Sequence, residues 1–519
     1  MSTSPGSLLP SGDPPDRPGQ PKQPGRREQP GRPEQPGEPA KERPAAAQAG
    51  ILGSRYRAAT LGIVLVVTLL AFESMAIGTV MPVIARDLDG LALYAWGFSA
   101  TLIAGLPANV LAGGWVDRSG PSRPLLTGLA TFVTGLVVAG AAPDMWTFVA
   151  GRAVQGVGTG VALVATYVLI ARVYPERLRP RVFAALSAAW VLPSLIGPAV
   201  GGVVSEHLGW RWVFLGLIPL VVPPVLMLLP AMRGLRRTPS PATASASASA
   251  SGTPRGARRH LAAIVVAVGA AVLLYGLDQP GWGLVPLAAA GLAGLAAGLP
   301  HLLPAGTLRM RRGLPSVVLI RGLLSGAFFG MDVFIPLALI SLHGFSPTQA
   351  GVVLTVASLG WSAASQVQGR ARRPGVFYVR LGAALVTIGI AVTALALQVT
   401  GWAAAPAWII GGAGMGFAFG SLSVLLLEFS PEEEQGANSS ALQIADMLSS
   451  SLVVGAAGAL VTAFGTGRLA LGLGIAGSLL AAVAAVGLIA ALRLDAGTRR
   501  RGGRPRFRVR SVRPRGGSA

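Results

Sequence analysis

The sequence predicts an all-α integral membrane protein of fourteen transmembrane helices, built as two six-helix bundles joined by two linker helices. Three observations carry this. The chain is 52% hydrophobic and only 12% charged, whereas a soluble domain needs about a quarter charged residues to face water. Its apolar residues fall in blocks of about twenty, the length that crosses ~30 Å of hydrocarbon at 1.5 Å per residue. Its arginines gather in every second connection, as membrane insertion demands of cytoplasmic loops.

Taken in order, the first six apolar segments lie near 58–83, 94–116, 124–142, 145–171, 181–204 and 210–232. A hairpin follows near 261–277 and 283–304, turned by Asp278-Gln279-Pro280-Gly281. The last six lie near 315–341, 347–368, 376–398, 402–427, 437–464 and 468–493. With the N-terminus inside, the inner loops hold Arg118 and Arg123, then Arg172, Arg177, Arg179 and Arg181, then Arg233 to Arg259, Arg309 to Arg312, and Arg370 to Arg373. The outer loops hold little beyond Arg86, Arg211 and Arg468. Both termini are therefore expected in the cytoplasm, and the plasma membrane is the expected location. The acidic inner loop Glu428 to Glu434 departs from the pattern, but carboxylates weigh little in the rule.

The domain boundaries follow. Residues 1–57, rich in Pro, Gly, Gln and charge, read as a disordered cytoplasmic tail without a secretory signal. The N-terminal bundle spans 58–232, a flexible Ala/Ser-rich linker 233–260, the hairpin 261–304, the C-terminal bundle 305–498, and a basic disordered tail 499–519. Six, two, six implies two bundles related by a pseudo-two-fold along the membrane normal, with a substrate site near the midplane between them.

Other classes fall away. The net charge of +22 sits in loops and tails and not on an aromatic-interleaved face, which argues against nucleic acid. The chain has no cysteine, and its four histidines lack metal-ligand spacing, so no metal or cofactor is expected. No Gly-rich phosphate loop ending in Gly-Lys-Ser/Thr and no Ser/His/Asp constellation occurs. An enzyme is not expected.

Few ionisable residues lie well inside a predicted span: Glu73, Arg152, Arg321, Asp332 and Asp446. A charge at the bilayer centre costs ~2.5–3.5 kcal/mol even on the lenient insertion scale, so each should face a partner or a wet cavity. Glu73 and Asp332 stand near the middle of the first span of their halves, each with a proline downstream, Pro82 and Pro336. Two repeated bundles would set them at similar depth across a central cavity. Gln443, one turn before Asp446, is expected to line it. Arg321 is expected to anchor near the inner interface.

Four segments carry a resemblance. Gly113-Gly114-Trp115-Val116-Asp117-Arg118-Ser119-Gly120 follows the second span; Arg152-Ala153-Val154-Gln155-Gly156-Val157-Gly158-Thr159-Gly160 lies in the fourth; Gly197-Pro198-Ala199-Val200-Gly201-Gly202 lies in the fifth; Phe72-Glu73-Ser74 through Pro82 lies in the first. Gly209-Trp210-Arg211-Trp212 at the entry to the sixth adds to these. Together they resemble the major facilitator superfamily, in particular its fourteen-helix drug/proton antiporters. The resemblance implies the major facilitator fold and assigns Gly113, Asp117, Arg118 and Gly120 to a latch between bundles. It assigns Gln155, Gly156, Gly158 and Gly160 to close helix packing, and Gly197, Pro198, Gly201 and Gly202 to the mark of antiporters. It assigns Arg152 to proton coupling.

The expected function is proton-coupled efflux of amphipathic or cationic small molecules by alternating access, with the proton as coupling ion. Glu73 is expected to bind the exchanged proton under the influence of Arg152. Asp332 is expected to be a second protonation site or the anchor of a substrate cation, in a cavity also lined by Gln443 and Asp446. The expected partners are a small-molecule substrate, protons and the bilayer, and the expected state a monomer. Export of a specific endogenous metabolite or lipid by the same fold is the alternative; a membrane sensor without transport is a further one.

Overall fold

The computed structural model describes residues 50–236, 254–279, 281–370 and 373–494. The expected N-terminal tail up to residue 49, residues 237–253 of the expected linker 233–260, and the expected tail 499–519 lie outside them; the linker's ends, 233–236 and 254–260, are helical and belong to the spans that flank it. Fourteen helices are long and apolar enough to cross a membrane. In chain order they are α1 Arg57–Asp87, α2 Trp96–Ser119, α3 Ser122–Gly140, α4 Met145–Val173, α5 Arg179–His207 and α6 Leu217–Arg236, the last entered through a short helix Arg211–Leu215. The hairpin is α7 Pro254–Leu277 and α8 Leu284–Leu302. Then come α9 Leu314–His343, α10 Pro347–Arg370, α11 Gly375–Val399, α12 Ala404–Phe429, α13 Gln435–Ala463 and α14 Leu469–Leu492. An even number of spans puts Arg57 and Leu492 at one face, the tail face, opposite a distal face.

The first six helices and the last six pack in the same pattern. In the first set α1 lies on α5 and α6, and α4 lies on α2 and α3; in the last set α9 lies on α13 and α14, and α12 lies on α10 and α11. Apolar side chains cannot drive helices together in lipid, so close approach through small residues does that work. On α4, Gly151 and Gly158 abut α3, while Gly156 and Gly160 abut α2; a methyl group added at Gly156 would stand 2.1 Å from the Thr101 carbonyl oxygen. The packing role read for Gly156, Gly158 and Gly160 is thus divided between two faces. α12 repeats the device with Gly414 against α11 and Gly412 and Gly416 against α10.

Two seams join the sets, α5 with α10 and α2 with α13. Both are closed at their distal ends. Gly202 of α5 sits against the backbone of Pro347 and Thr348, and Gly351 of α10 against that of Pro198. Ser99 Oγ donates to the Ser451 carbonyl at 3.0 Å, and Tyr94 Oη to that of Val333 at 2.8 Å. At the tail face the same helices stand clear: Asp117, Arg118 and Arg370 are exposed, and a methyl group at Gly113 or Gly369 would meet nothing within 4 Å. The close contacts that join the two sets thus lie towards the distal face.

The hairpin lies along the α2/α13 seam. One apolar cluster holds Ile103 and Leu106 of α2, Val266 and Leu274 of α7, and Ile444 and Leu448 of α13. At the distal end Trp96 Nε1 donates to Asp278 Oδ2 at 2.7 Å. Burial pushes the Asp278 carboxyl above its ordinary range, against the opposing effect of the Trp96 hydrogen bond. Residues 50–56, assigned to the tail by the sequence, are folded: Thr60 Oγ1 donates to the Ile51 carbonyl at 2.6 Å and Tyr56 stacks on Tyr174 with centroids 5.2 Å apart.

The Gly202 contact yields a test. A methyl group there would come within 2.6 Å of the Pro347 oxygen, so Gly202→Val should part α5 from α10. Because the chain has no cysteine, a single Ser205→Cys, buried at 7% exposure in the parent, reports on this seam. Its labelling by an impermeant maleimide should accelerate several-fold in the Gly202→Val background; unchanged labelling would contradict the closed seam.

Candidate functional site

Three charge arrangements, one buried and two half-buried, occur within the spans among the described residues, and each begins on the first helix of a half. The first joins α1 to α4. Arg152, 3% exposed, pairs with Glu73, 4% exposed. One guanidinium nitrogen donates to both Glu73 Oε1 and Gln155 Oε1, while Nε donates to the Gly97 carbonyl at 2.9 Å. The close approach of α2 and α4 at Gly156 brings that carbonyl within reach. Gln155, read as a packing residue, is therefore also a ligand of the arginine; its Nε2 is buried without a partner. Glu73 sits within the bundle, sealed by its own burial and clamped by Arg152.

The second arrangement joins α9 to α12. Asp332 Oδ1 accepts a hydrogen bond from Trp408 Nε1 at 3.1 Å, and Trp408 is fully buried. No cation faces this carboxylate in the ion pairs among the described residues. Arg152 and Trp408 hold matching places: each is the eighth residue of a 29-residue span, Met145–Val173 and Gly401–Phe429. One half thus answers its acid with a guanidinium and the other with an indole.

The third joins α9 to α13 nearer the tail face. Arg321 Nη2 lies 3.2 Å from Asp446 Oδ2, with side chains 7% and 17% exposed. Its Nη1 donates to the Phe419 carbonyl at 3.2 Å, and its guanidinium carbon stands 3.1 Å over the Phe419 ring. Arg321 is thus not an interface anchor, as the sequence suggested, but half of a buried pair. Three turns separate it from Asp332, so helix geometry sends the two to different partners.

A chain of aromatic rings links the last two arrangements. Trp408 stacks on Phe328 (4.6 Å, 13°), Phe328 meets Trp361 at 5.7 Å, and Trp361 meets Phe419 at 5.2 Å. Sequence reasoning missed all four rings. The register match between Arg152 and Trp408 was the one signal that could have found any of them.

The position of Gln443 and Asp446 follows from the faces of α13. Ala445 and Ser449 abut Gly322 of α9, while Met447 abuts Gly105 of α2. At 100° per residue, Gln443, Asp446 and Ser450 fall on the sector between, where Gln443 is exposed. Along that sector exposure falls from Gln443 through the half-buried Asp446 to the buried Ser450.

The remaining motif residues act through the backbone. Gly197 and Gly201 abut Met75 and Ala76 of α1, and Gly202 closes the seam on α10. Pro198 lies inside α5 with its carbonyl against Gly351. Gly120 ends α2 with φ +74°, a conformation that favours glycine. Asp117 and Arg118 are exposed, so the loop holds no latch closed in this conformation. The Trp210-Arg211 motif ties α1 to the entry of α6: Trp210 Nε1 and Arg211 Nη1 both donate to Asp87 Oδ2, at 2.8 and 3.1 Å.

Removing one partner from a buried pair strands the other charge, at about 3–5 kcal/mol. Arg152→Gln should therefore lower the unfolding temperature markedly, while the double substitution with Glu73→Gln should recover most of the loss. Thermal unfolding in detergent measures both; a double variant no more stable than Arg152→Gln would mean the two side chains are not coupled.

Comparison with known proteins agrees with this geometry. The family pattern of the Major Facilitator Superfamily matches residues 63–454. A probable multidrug-efflux transporter of Mycobacterium tuberculosis is 28% identical over 446 residues, covering 81% of this chain and 91% of that one. The multidrug transporter protein MdtP of Bacillus subtilis is 25% identical over 400 residues, covering 74% and 71%. Among solved structures, a bacterial homologue of the human lysosomal transporter Spinster superposes with a TM-score of 0.58 at 15% identity, covering 84% of this chain and 97% of that one. The xylose transporter XylE of E. coli does so with 0.56 at 17% identity, covering 85% and 97%.

Proposed function

This chain belongs to the major facilitator superfamily, and from that premise we propose that it is a proton-coupled exporter of amphipathic or cationic small molecules. The tail face would be cytoplasmic, in the plasma membrane, and the protein would work as a monomer with the proton as its only coupling ion. The observation that carries the reading is the buried Glu73–Arg152 pair inside one half. Protonating Glu73 cancels its charge, frees Arg152 to lean on Gln155 and the Gly97 carbonyl, and so converts proton occupancy into a local rearrangement of α1, α2 and α4.

Asp332 completes the scheme in the other half. A half-buried carboxylate held by an indole N–H has a hydrogen bond but no balancing charge, and taking such a group out of water is costly. A proton or the positive group of a substrate would supply the balance, so the two compete for it. Antiport follows when the halves rock about a site that accepts one or the other. The multidrug-efflux names of relatives at 25–28% identity support small-molecule efflux as the direction and class.

The test uses proteoliposomes with an imposed pH gradient. Glu73→Gln should abolish gradient-driven substrate movement by tenfold or more, on the order of 1.4 kcal/mol or above, while downhill exchange of substrate persists. Undiminished gradient-driven transport in that variant would remove Glu73 from the coupling step.

A further inference from the structure

The Arg321–Asp446 pair has features that a purely structural ion pair lacks. Arginine and carboxylate usually meet as a fork, through two parallel hydrogen bonds. Here a single nitrogen–oxygen contact of 3.2 Å joins them, and both Arg321 Nε and Asp446 Oδ1 are buried without a partner. The guanidinium carbon lies 3.1 Å from the centre of the Phe419 ring, so ring and carboxylate share one cation. That combination, an aromatic face beside a carboxylate, is what recognises a planar organic cation. In this protein a side chain of its own already fills it.

We propose that Arg321 is a tethered cation that occupies a substrate-cation subsite formed by Phe419 and Asp446, and that a planar aromatic monocation binds by displacing it. The inference rests on the export reading above and names the chemistry selected at this subsite. Three observations support displacement. Asp446 is 17% exposed and shares a face of α13 with the exposed Gln443 one turn nearer the tail face, so an incoming cation can reach it from that side. Arg321 has a second resting place within reach, since its Nη1 already lies 3.2 Å from the Phe419 carbonyl and 3.5 Å from Ser423 Oγ. The half-made contact leaves less to break than a full fork would.

Arg321 then sets specificity. An entering cation must outbid the guanidinium for Asp446, which penalises small, strongly hydrated ions and favours flat, delocalised ones that recover ring contact. The arginine's return to Asp446 would in turn help to expel the substrate. Arg321 is a specificity-determining residue in this scheme, and its removal should tighten binding and not weaken it.

The experiment measures ethidium binding by fluorescence anisotropy to the purified full chain in lipid nanodiscs, with no proton gradient present. Arg321→Met, which keeps the apolar volume and removes the charge, should bind about tenfold more tightly than the parent, and Asp446→Asn about tenfold more weakly. Adding Arg321→Met to Asp446→Asn should tighten binding by less than it does in the parent, because the carboxylate's share of the competition is gone. Equal or weaker binding by a folded Arg321→Met would overturn the proposal while leaving the export reading intact. Should that variant fail to fold, Arg321→Lys decides: it keeps the charge, loses the planar guanidinium, and should tighten binding about threefold, with equal or weaker binding counting against the proposal. Absence of binding by the parent and every variant would overturn it together with the cationic-substrate part of the export reading. Proton coupling is tested separately at Glu73.

Discussion

Hydrocarbon does not tolerate an uncompensated charge, and the arrangement of this protein's interior follows from how each charge is compensated. Glu73 is met by an arginine, Asp332 by an indole N–H, and Asp446 by an arginine that also lies on a phenyl ring. The helices that supply these partners are the ones packed closest together. Arg152 reaches Glu73 and the Gly97 carbonyl because Gly156 and Gly160 allow α2 to touch α4, and Trp408 sits one turn before the glycines that bring α12 against α10. Close packing by small residues and the pairing of buried charges are one design. Enlarging a glycine would lengthen the hydrogen bonds that neutralise the charge beside it.

The two halves share this plan but not its chemistry. The same helix pairs pack in both, and the acid of each first helix is answered from the eighth residue of the fourth span, Met145–Val173 or Gly401–Phe429. An ion pair in one half and an ion–dipole contact in the other respond differently to a proton. Protonation destroys an ion pair, whereas a protonated carboxyl still accepts a hydrogen bond from an indole. Repetition supplied the geometry, and divergence at Arg152 and Trp408 made the two acids inequivalent.

Most of the fold was legible because it depends on composition and spacing. Fourteen apolar blocks, a hairpin between two sets of six, and the close-packing glycines of α4 all follow from residue size and span length. Glu73 and Arg152 were legible as members of a charge arrangement, since two lone charges in apolar helices must find partners. What stayed hidden depends on helix rotation. Arg321 looked like an anchor because its distance from Asp332 was evident, while the face of α13 that carries Asp446 towards it was not. The aromatic chain from Trp408 to Phe419 stayed hidden for the same reason: its rings come from three helices, α9, α10 and α12, and no single stretch reveals their meeting. Residues 50–56 looked like tail because Tyr56 and Ile51 find partners only once α4 delivers Tyr174 beside Thr60.

The placement of charge also explains how such a molecule can rock. All three intramembrane charge arrangements lie within one half or the other, between α1 and α4, α9 and α12, or α9 and α13. The distal seam between the halves is neutral at its core: Tyr94 to a carbonyl, Ser99 to a carbonyl, and Gly202 and Gly351 against backbone. Each such hydrogen bond contributes about 0.5–1.5 kcal/mol net, and water can replace it once the seam opens. At the rim Glu206 accepts from Thr348 Oγ1 at 2.7 Å, in an exposed setting where water competes. Among the described residues, parting the halves therefore breaks none of these charge pairs. The costly interactions stay inside their own bundles, where, on the proposed function, a proton or a competing cation would act on them.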